Sequence, residues 1–142
     1  MRSIYLILFD TSVKLVEHHL DQRHPRCGDR WLLNAREGDP VLYIGLDPIE
    51  SVLVSPEEQL RILDAAGGRT FSLVTVDVSG RHPGNDEVRA LIEELLAAFD
   101  GLVFDDYTDH PWSLHEIRVN VHKDGHPFFD YTGWYDDKRS GG

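Results

Sequence analysis

The chain predicts an α+β fold, a single-domain sandwich in which one β-sheet is covered by helices. Three observations lead there. Apolar runs of strand length, such as Ile4 to Phe9 and Phe71 to Val78, alternate along the chain with stretches of helical periodicity. One of those stretches, Val88 to Phe99, sets six apolar side chains on one helical face and therefore needs a sheet to lie on. The third is size and balance: 142 residues with 41% hydrophobic and 27% charged side chains suit one globular domain, and no repeat or low-complexity linker divides it. The domain is expected to span residues 1–137, with 138–142 as a frayed tail that has no apolar anchor.

The elements follow in order. Ile4 to Phe9 reads as a buried strand, and Asp10-Thr11-Ser12 after it offers side-chain acceptors to the free N–H groups of a helix from about Val13 to Gln22. Val13, Val16 and Leu20 are its expected buried stripe, and His24-Pro25 stops it. Trp31 to Asn34 and Val41 to Leu46 read as strands joined through Glu37-Gly38-Asp39-Pro40, which has hairpin-loop composition. Ser55-Pro56-Glu57-Glu58 then announces a helix: an N-cap serine, proline at the first helical position and glutamate three residues after the cap. Leu60 and Leu63 are expected to face inward, and Gly67-Gly68 to end the helix. In the strand from Phe71 to Val78, Val74, Val76 and Val78 fall on one face and Phe71, Leu73 and Thr75 on the other.

Asn85 is the expected cap of the third helix, whose Val88, Leu91, Ile92, Leu95, Leu96 and Phe99 recur at i, i+3, i+4, i+7, i+8 and i+11. Burial of those side chains amounts to on the order of 10 kcal/mol of gross stabilisation. Gly101 should end the helix, with Leu102 to Phe104 a short strand. Pro111 opens a short helical turn through Ile117, and Asp124-Gly125 marks the turn of a β-hairpin between Ile117–His122 and Phe128–Tyr131. Up to Val78 the order is βαββαβ, the ferredoxin-like order of a split βαβ domain, here with an added helix, strand and C-terminal hairpin.

Charge restricts the partners. With 14 basic and 25 acidic residues the formal net charge is -11, which opposes general binding to nucleic acid or to an anionic membrane surface and favours a basic partner. The single Cys27 allows no intramolecular disulfide and fits a reducing cytoplasm. The apolar run at the start is too short for a signal-peptide core, and no stretch approaches the roughly 20 residues that cross a bilayer. Acid and aromatic residues coincide in the last third. Nine of the 14 aromatics lie between Phe99 and Tyr135, with Asp105, Asp106, Asp109, Asp130, Asp136 and Asp137 among or beside them. Phe99, Phe104 and Phe128 are expected in the core, whereas Trp112, Trp134 and Tyr135 are candidates for partner contact.

Catalytic chemistry finds little footing. His18, His19, His24 and Cys27 match no standard zinc spacing, and His115-Glu116 lacks the second histidine of H-E-x-x-H. Neither G-x-S-x-G, G-x-G-x-x-G nor a Walker A loop occurs, and Cys27 has no catalytic-cysteine signature around it. Asp105, Asp106 and Asp109 form the densest carboxylate group but lack the order of a calcium loop. No cofactor or metal is implied. One enzymatic alternative stands, a small metal-dependent hydrolase in which His110, His115, His122 and His126 converge with aspartates of the last third.

Phe99-Asp100-Gly101-Leu102-Val103-Phe104-Asp105-Asp106, followed by Trp112-Ser113-Leu114-His115-Glu116-Ile117, carries a resemblance. It resembles the arrangement of helix, F-x-G, strand, D-D and then W-[ST]-x-x-E-[IL] in small bacterial immunity-type proteins, which neutralise the toxin of a neighbouring gene. The resemblance implies a non-enzymatic cytoplasmic inhibitor of a cognate toxin, with Asp105, Asp106, Trp112 and Glu116 at the matching positions. Joined to the charge, it implies occlusion of a basic or active-site surface. Asp105, Asp106, Asp109, Asp136 and Asp137 would supply charge, and Trp112, Trp134 and Tyr135 would anchor the contact.

Overall fold

In the computed structural model the described residues are 2–36, 39–46, 55–105, 107–130 and 133. The elements run β1 (Arg2–Phe9), α1 (Val13–Arg23), β2 (Arg26–Cys27), β3 (Arg30–Arg36), β4 (Asp39–Leu46), α2 (Pro56–Ala66), β5 (Phe71–Val78), α3 (Asn85–Ala98), β6 (Gly101–Phe104) and α4 (Leu114–Arg118). The fold is α+β: one open six-stranded sheet of order β2-β3-β4-β5-β1-β6, covered by helices. Every neighbouring pair is antiparallel.

Apart from the two-residue β2, the βαββαβ succession is present, yet its strands pair differently from a ferredoxin-like domain, where each helix builds a split βαβ unit. Here β5 and β6 both run antiparallel to β1 and flank it, so they are parallel to each other, and β5–α3–β6 is the split unit with β1 inserted. Helix α1 instead carries the chain from β1 to the β2-β3 edge of the sheet. Burial explains the placement. Ile4, Leu6, Ile7 and Leu8 of β1 are all inaccessible to solvent, a condition met only by a strand paired on both edges and covered on both faces.

The two faces have separate cores. Ile4, Leu6 and Leu8 of β1 join Val74, Val76 and Val78 of β5 under Val16 and Leu20 of α1 and Val88, Leu91, Ile92 and Leu95 of α3. On the other face Ile7, Phe9, Leu73 and Phe104 meet Ile62 and Ala66 of α2. The alternation in β5 and the apolar stripe of α3 thus face as their periodicities require.

Several local expectations are corrected. In α1, Val13 is 54% exposed and the buried stripe is Val16, His19 and Leu20. In α2, Leu60 and Leu63 are 67% and 49% exposed, while Ile62 and Ala66 face the sheet. The small Ala66 lets the helix sit close over Ile7, Phe9 and Leu73 of the second core, which a leucine-lined face would hold further off. Asn85 does not cap α3. Gly84 holds the N-cap in the left-handed region (φ 76°), and Asn85 donates from Nδ2 to the Phe129 carbonyl at 3.1 Å. Helix α3 ends at Phe99; Gly101 serves a different need, because a Cβ there would strike the Ile7 carbonyl oxygen.

The C-terminal β-hairpin is also absent from the described residues. Leu114–Arg118 is helical, and only the Lys123–His126 bridge closes the Asp124-Gly125 turn. The short helical turn expected through Ile117 is present, with Ser113 and Glu116 as its capping box, and it runs on to Arg118 where the first hairpin strand was expected to begin. The Phe129 N–H is then taken by a side chain instead of a ladder. The hairpin loop at Glu37-Gly38 and the tail 138–142 lie outside the described residues.

Gly84 offers a direct check on the turn into α3. A Cβ there would lie 2.5 Å from Val78 Cγ1, and the positive φ adds strain for any L side chain. Gly84→Ala is expected to lower stability by about 1–3 kcal/mol, read as a fall in the urea midpoint at constant slope.

Candidate binding surface

The segment after β6 owes its shape to one carboxylate. Asp105 is 7% exposed, and its Oδ1 accepts from the backbone N–H of Tyr107 at 3.2 Å and of Thr108 at 3.0 Å, and from the Thr108 hydroxyl at 3.3 Å. Its Oδ2 accepts from the Phe129 N–H at 2.9 Å. A buried carboxylate is tolerated because these donors replace water. Phe129 is held at φ 56°, a left-handed conformation unusual for a bulky residue, with Asp105 on its N–H and Asn85 on its carbonyl. One side chain therefore bends the 105–109 loop and ties residues 24 positions further along the chain to it.

Trp112 and Glu116 complete this framework. Trp112 is fully buried, pairs its backbone with Val103 of β6, and packs edge-on to His110 and Phe128 with ring centroids 5.0 and 5.8 Å away. It cannot anchor a partner, because its ring belongs to the core. Glu116 accepts from the Ser113 N–H at 2.9 Å, while its own N–H donates to Ser113 Oγ at 3.2 Å. His110 Nε2 lies 2.9 Å from its other oxygen. Burial alone would push the Glu116 carboxyl up, but the Ser113 backbone hydrogen bond and the His110 contact outweigh it and hold it below its ordinary value. Asp105, Trp112 and Glu116 thus build the loop, and of the three only Asp105 also lines the surface beside it.

What they build is an open pocket of about 130 Å³ between α2, β1, β6 and the 105–109 loop. Tyr5, Phe104 and Tyr107 supply rings, and Glu58, Asp105 and Asp109 supply carboxylates against the single guanidinium of Arg61. Arg61 lies 3.1 Å from Asp109, which is largely solvent-exposed, and 3.9 Å from Glu57. Of the described candidates Asp105 and Asp109 line this surface, Asp105 with its oxygens already spent on the loop and on Phe129. Asp106, Trp134, Tyr135, Asp136 and Asp137 lie outside the described residues.

Sequence reading missed Tyr5, Glu58 and Arg61 at this site. The signal for Tyr5 was parity: residues 5, 7 and 9 share the face opposite to 4, 6 and 8. For Glu58 and Arg61 the phase of α2 was taken from its leucines, which turned the polar face to the wrong side.

The histidines do not gather. His110 is on Glu116 and His126 Nδ1 is 2.9 Å from Asp130, while His19 and His24 share Glu94 at 3.0–3.1 Å. Among the described residues no group of three or more histidine, cysteine or acidic side chains could hold a metal ion. Cys27 is exposed on the edge strand β2. No helix among the described residues is long and apolar enough to cross a membrane. Comparison with protein-family models, with curated proteins and with solved structures gives no match.

Two measurements test the framework. In Asp105→Asn the amide oxygen can keep the loop donors, but the new NH₂ faces the Phe129 N–H; stability should fall by about 1–3 kcal/mol and the Phe129 amide should lose its hydrogen-exchange protection. Glu116, depressed in the folded state, contributes stability that is complete above its unfolded pKa and lost as pH falls through the folded one. The native chain should therefore lose more stability than Glu116→Gln between neutral pH and about pH 3, compared by urea midpoints.

Proposed function

We propose that the chain is a non-enzymatic, immunity-type inhibitor that acts in the cytoplasm by binding a cognate bacterial toxin and covering a basic or active-site surface. The observation that carries this reading is the open pocket, ringed by tyrosines and carboxylates, that the Asp105 loop forms against α2. A net charge of -11 supports it, since an acidic inhibitor gains association rate toward a basic cleft and can occupy ground that phosphate would otherwise take. So does the resemblance of residues 99–117 to immunity-type proteins, with Asp105, Trp112 and Glu116 as supports of the binding loop and Asp109 as a contact. Asp106, Trp134, Tyr135, Asp136 and Asp137 remain in the proposal as further contacts. The lone, exposed Cys27 is compatible with a reducing compartment.

The metal-dependent hydrolase is the weaker reading, because no group of three or more histidine, cysteine or acidic side chains among the described residues could hold a metal ion, and His110 and His126 pair with different carboxylates.

The test is association with the purified product of the neighbouring gene, followed by stopped-flow at increasing salt. A complex is expected whose association rate falls about tenfold or more from low to high salt. Absence of a complex, or a rate indifferent to salt, would remove the proposal.

A further inference from the structure

We infer that the pocket between α2 and the 105–109 loop receives an arginine side chain from the protein partner, which displaces Arg61 as the counter-ion of Asp109. The inference rests on the inhibitor reading and names the part of the partner that the pocket fits.

The lining decides the chemistry. Three carboxylates against one guanidinium leave an excess of negative charge, and Asp105 contributes to that field even though its hydrogen bonds are spent on the loop. Tyr5, Phe104 and Tyr107 add aromatic rings, whose faces attract a cation and on which a planar guanidinium stacks better than an ammonium. The volume, about 130 Å³, has room for a group of several heavy atoms. An anion would meet the carboxylates of Glu58 and Asp109, and a purely apolar group would gain nothing from them.

Arg61 already shows which chemistry the rim accepts. Its side chain is 39% exposed, and its guanidinium sits 3.1 Å from Asp109, whose side chain is 77% exposed. An ion pair so open to water is weak and exchanges readily. An incoming arginine can take over Asp109 while Arg61 swings toward Glu57, 3.9 Å away one helical turn earlier, so neither cation loses a counter-charge. The source is a protein and not a small amine because the inhibitor reading gives the chain a basic protein partner, which the net charge of -11 attracts and from which an arginine can project into the pocket.

The test uses the full chain and ¹⁵N–¹H NMR titrations with Nα-acetyl-arginine methylamide, the lysine and norleucine analogues, and spermidine. The arginine probe should move the amides of Ile62, Thr108 and Asp109 at lower concentration than the lysine probe, with norleucine inert. Arg61→Gln, which removes the internal competitor, should tighten arginine binding by about threefold or more, and Asp109→Asn should weaken it by a similar factor. Both residues are on the rim, so the fold stays intact in either variant. No localised shift, equal response to norleucine, or no gain in Arg61→Gln overturns the inference; tighter binding of spermidine assigns the pocket to a free amine and overturns it as well. The same variants separate it from the reading beneath it. A complex with the neighbouring gene product that ignores both substitutions overturns the pocket and spares the inhibitor. Arginine binding without any complex does the reverse.

Discussion

Strand β1 is the constraint around which the molecule is organised. It pairs with β5 along its whole length and with β6 over Tyr5 to Leu8, and its side chains feed both cores: Ile4, Leu6 and Leu8 to one, Ile7 and Phe9 to the other. From Tyr5 to Leu8 the strand is paired on both edges, and it buries apolar side chains on both faces, so the helices must divide between the two sides. Helices α1 and α3 take one, α2 the other. Among the described helices α2 alone covers that side, and the open pocket lies where Tyr5, half-buried, stands next to β6.

From that strand the order passes outward through β6 to Asp105. The carboxylate reaches back to the loop that follows it and forward to Phe129, and in doing so it replaces a regular sheet edge by side-chain hydrogen bonding. Trp112, bridged to Val103 and stacked against His110 and Phe128, fills the space beneath. Glu116 caps α4, and the paired hydrogen bonds of Arg118 to Glu93, at 2.8 and 2.7 Å, tie that short helix to α3. Residues that form a recognisable motif in the sequence are here the supports of a surface, and the surface itself is made of less conspicuous ones: Tyr5, Glu58, Arg61 and Asp109.

That division shows how far the sequence could be read. Elements with a long period or a strong local signal were legible: α3 through its apolar stripe, α2 through Ser55-Pro56, β5 through its alternating valines. The phase of α2 was not, because Leu60 and Leu63 are its most apolar residues and yet shape, through Ala66, sets which side approaches the sheet. Trp112 as an anchor failed for a similar reason: indole is equally suited to a core and to an interface, and only its neighbours determine which. Downstream the Asp124-Gly125 turn formed as its composition predicts, but no ladder grew from it among the described residues, because Ile117 and Arg118 belong to the capped helix and the Phe129 N–H bonds to Asp105.

By itself, then, the amino-acid order determined the α+β class, the succession from β1 to β6 apart from the two-residue β2, and the acid excess, all of which depend on local periodicity, caps and composition. Tertiary structure alone decided the rest: that β1 lies between β5 and β6, that the split βαβ unit is β5–α3–β6, and that Asp105 is buried while Asp109 is exposed. The physical reason is that pairing, burial and pocket formation are non-local. They depend on which surfaces meet when the whole chain closes, and two aspartates four residues apart acquire opposite roles from that closure.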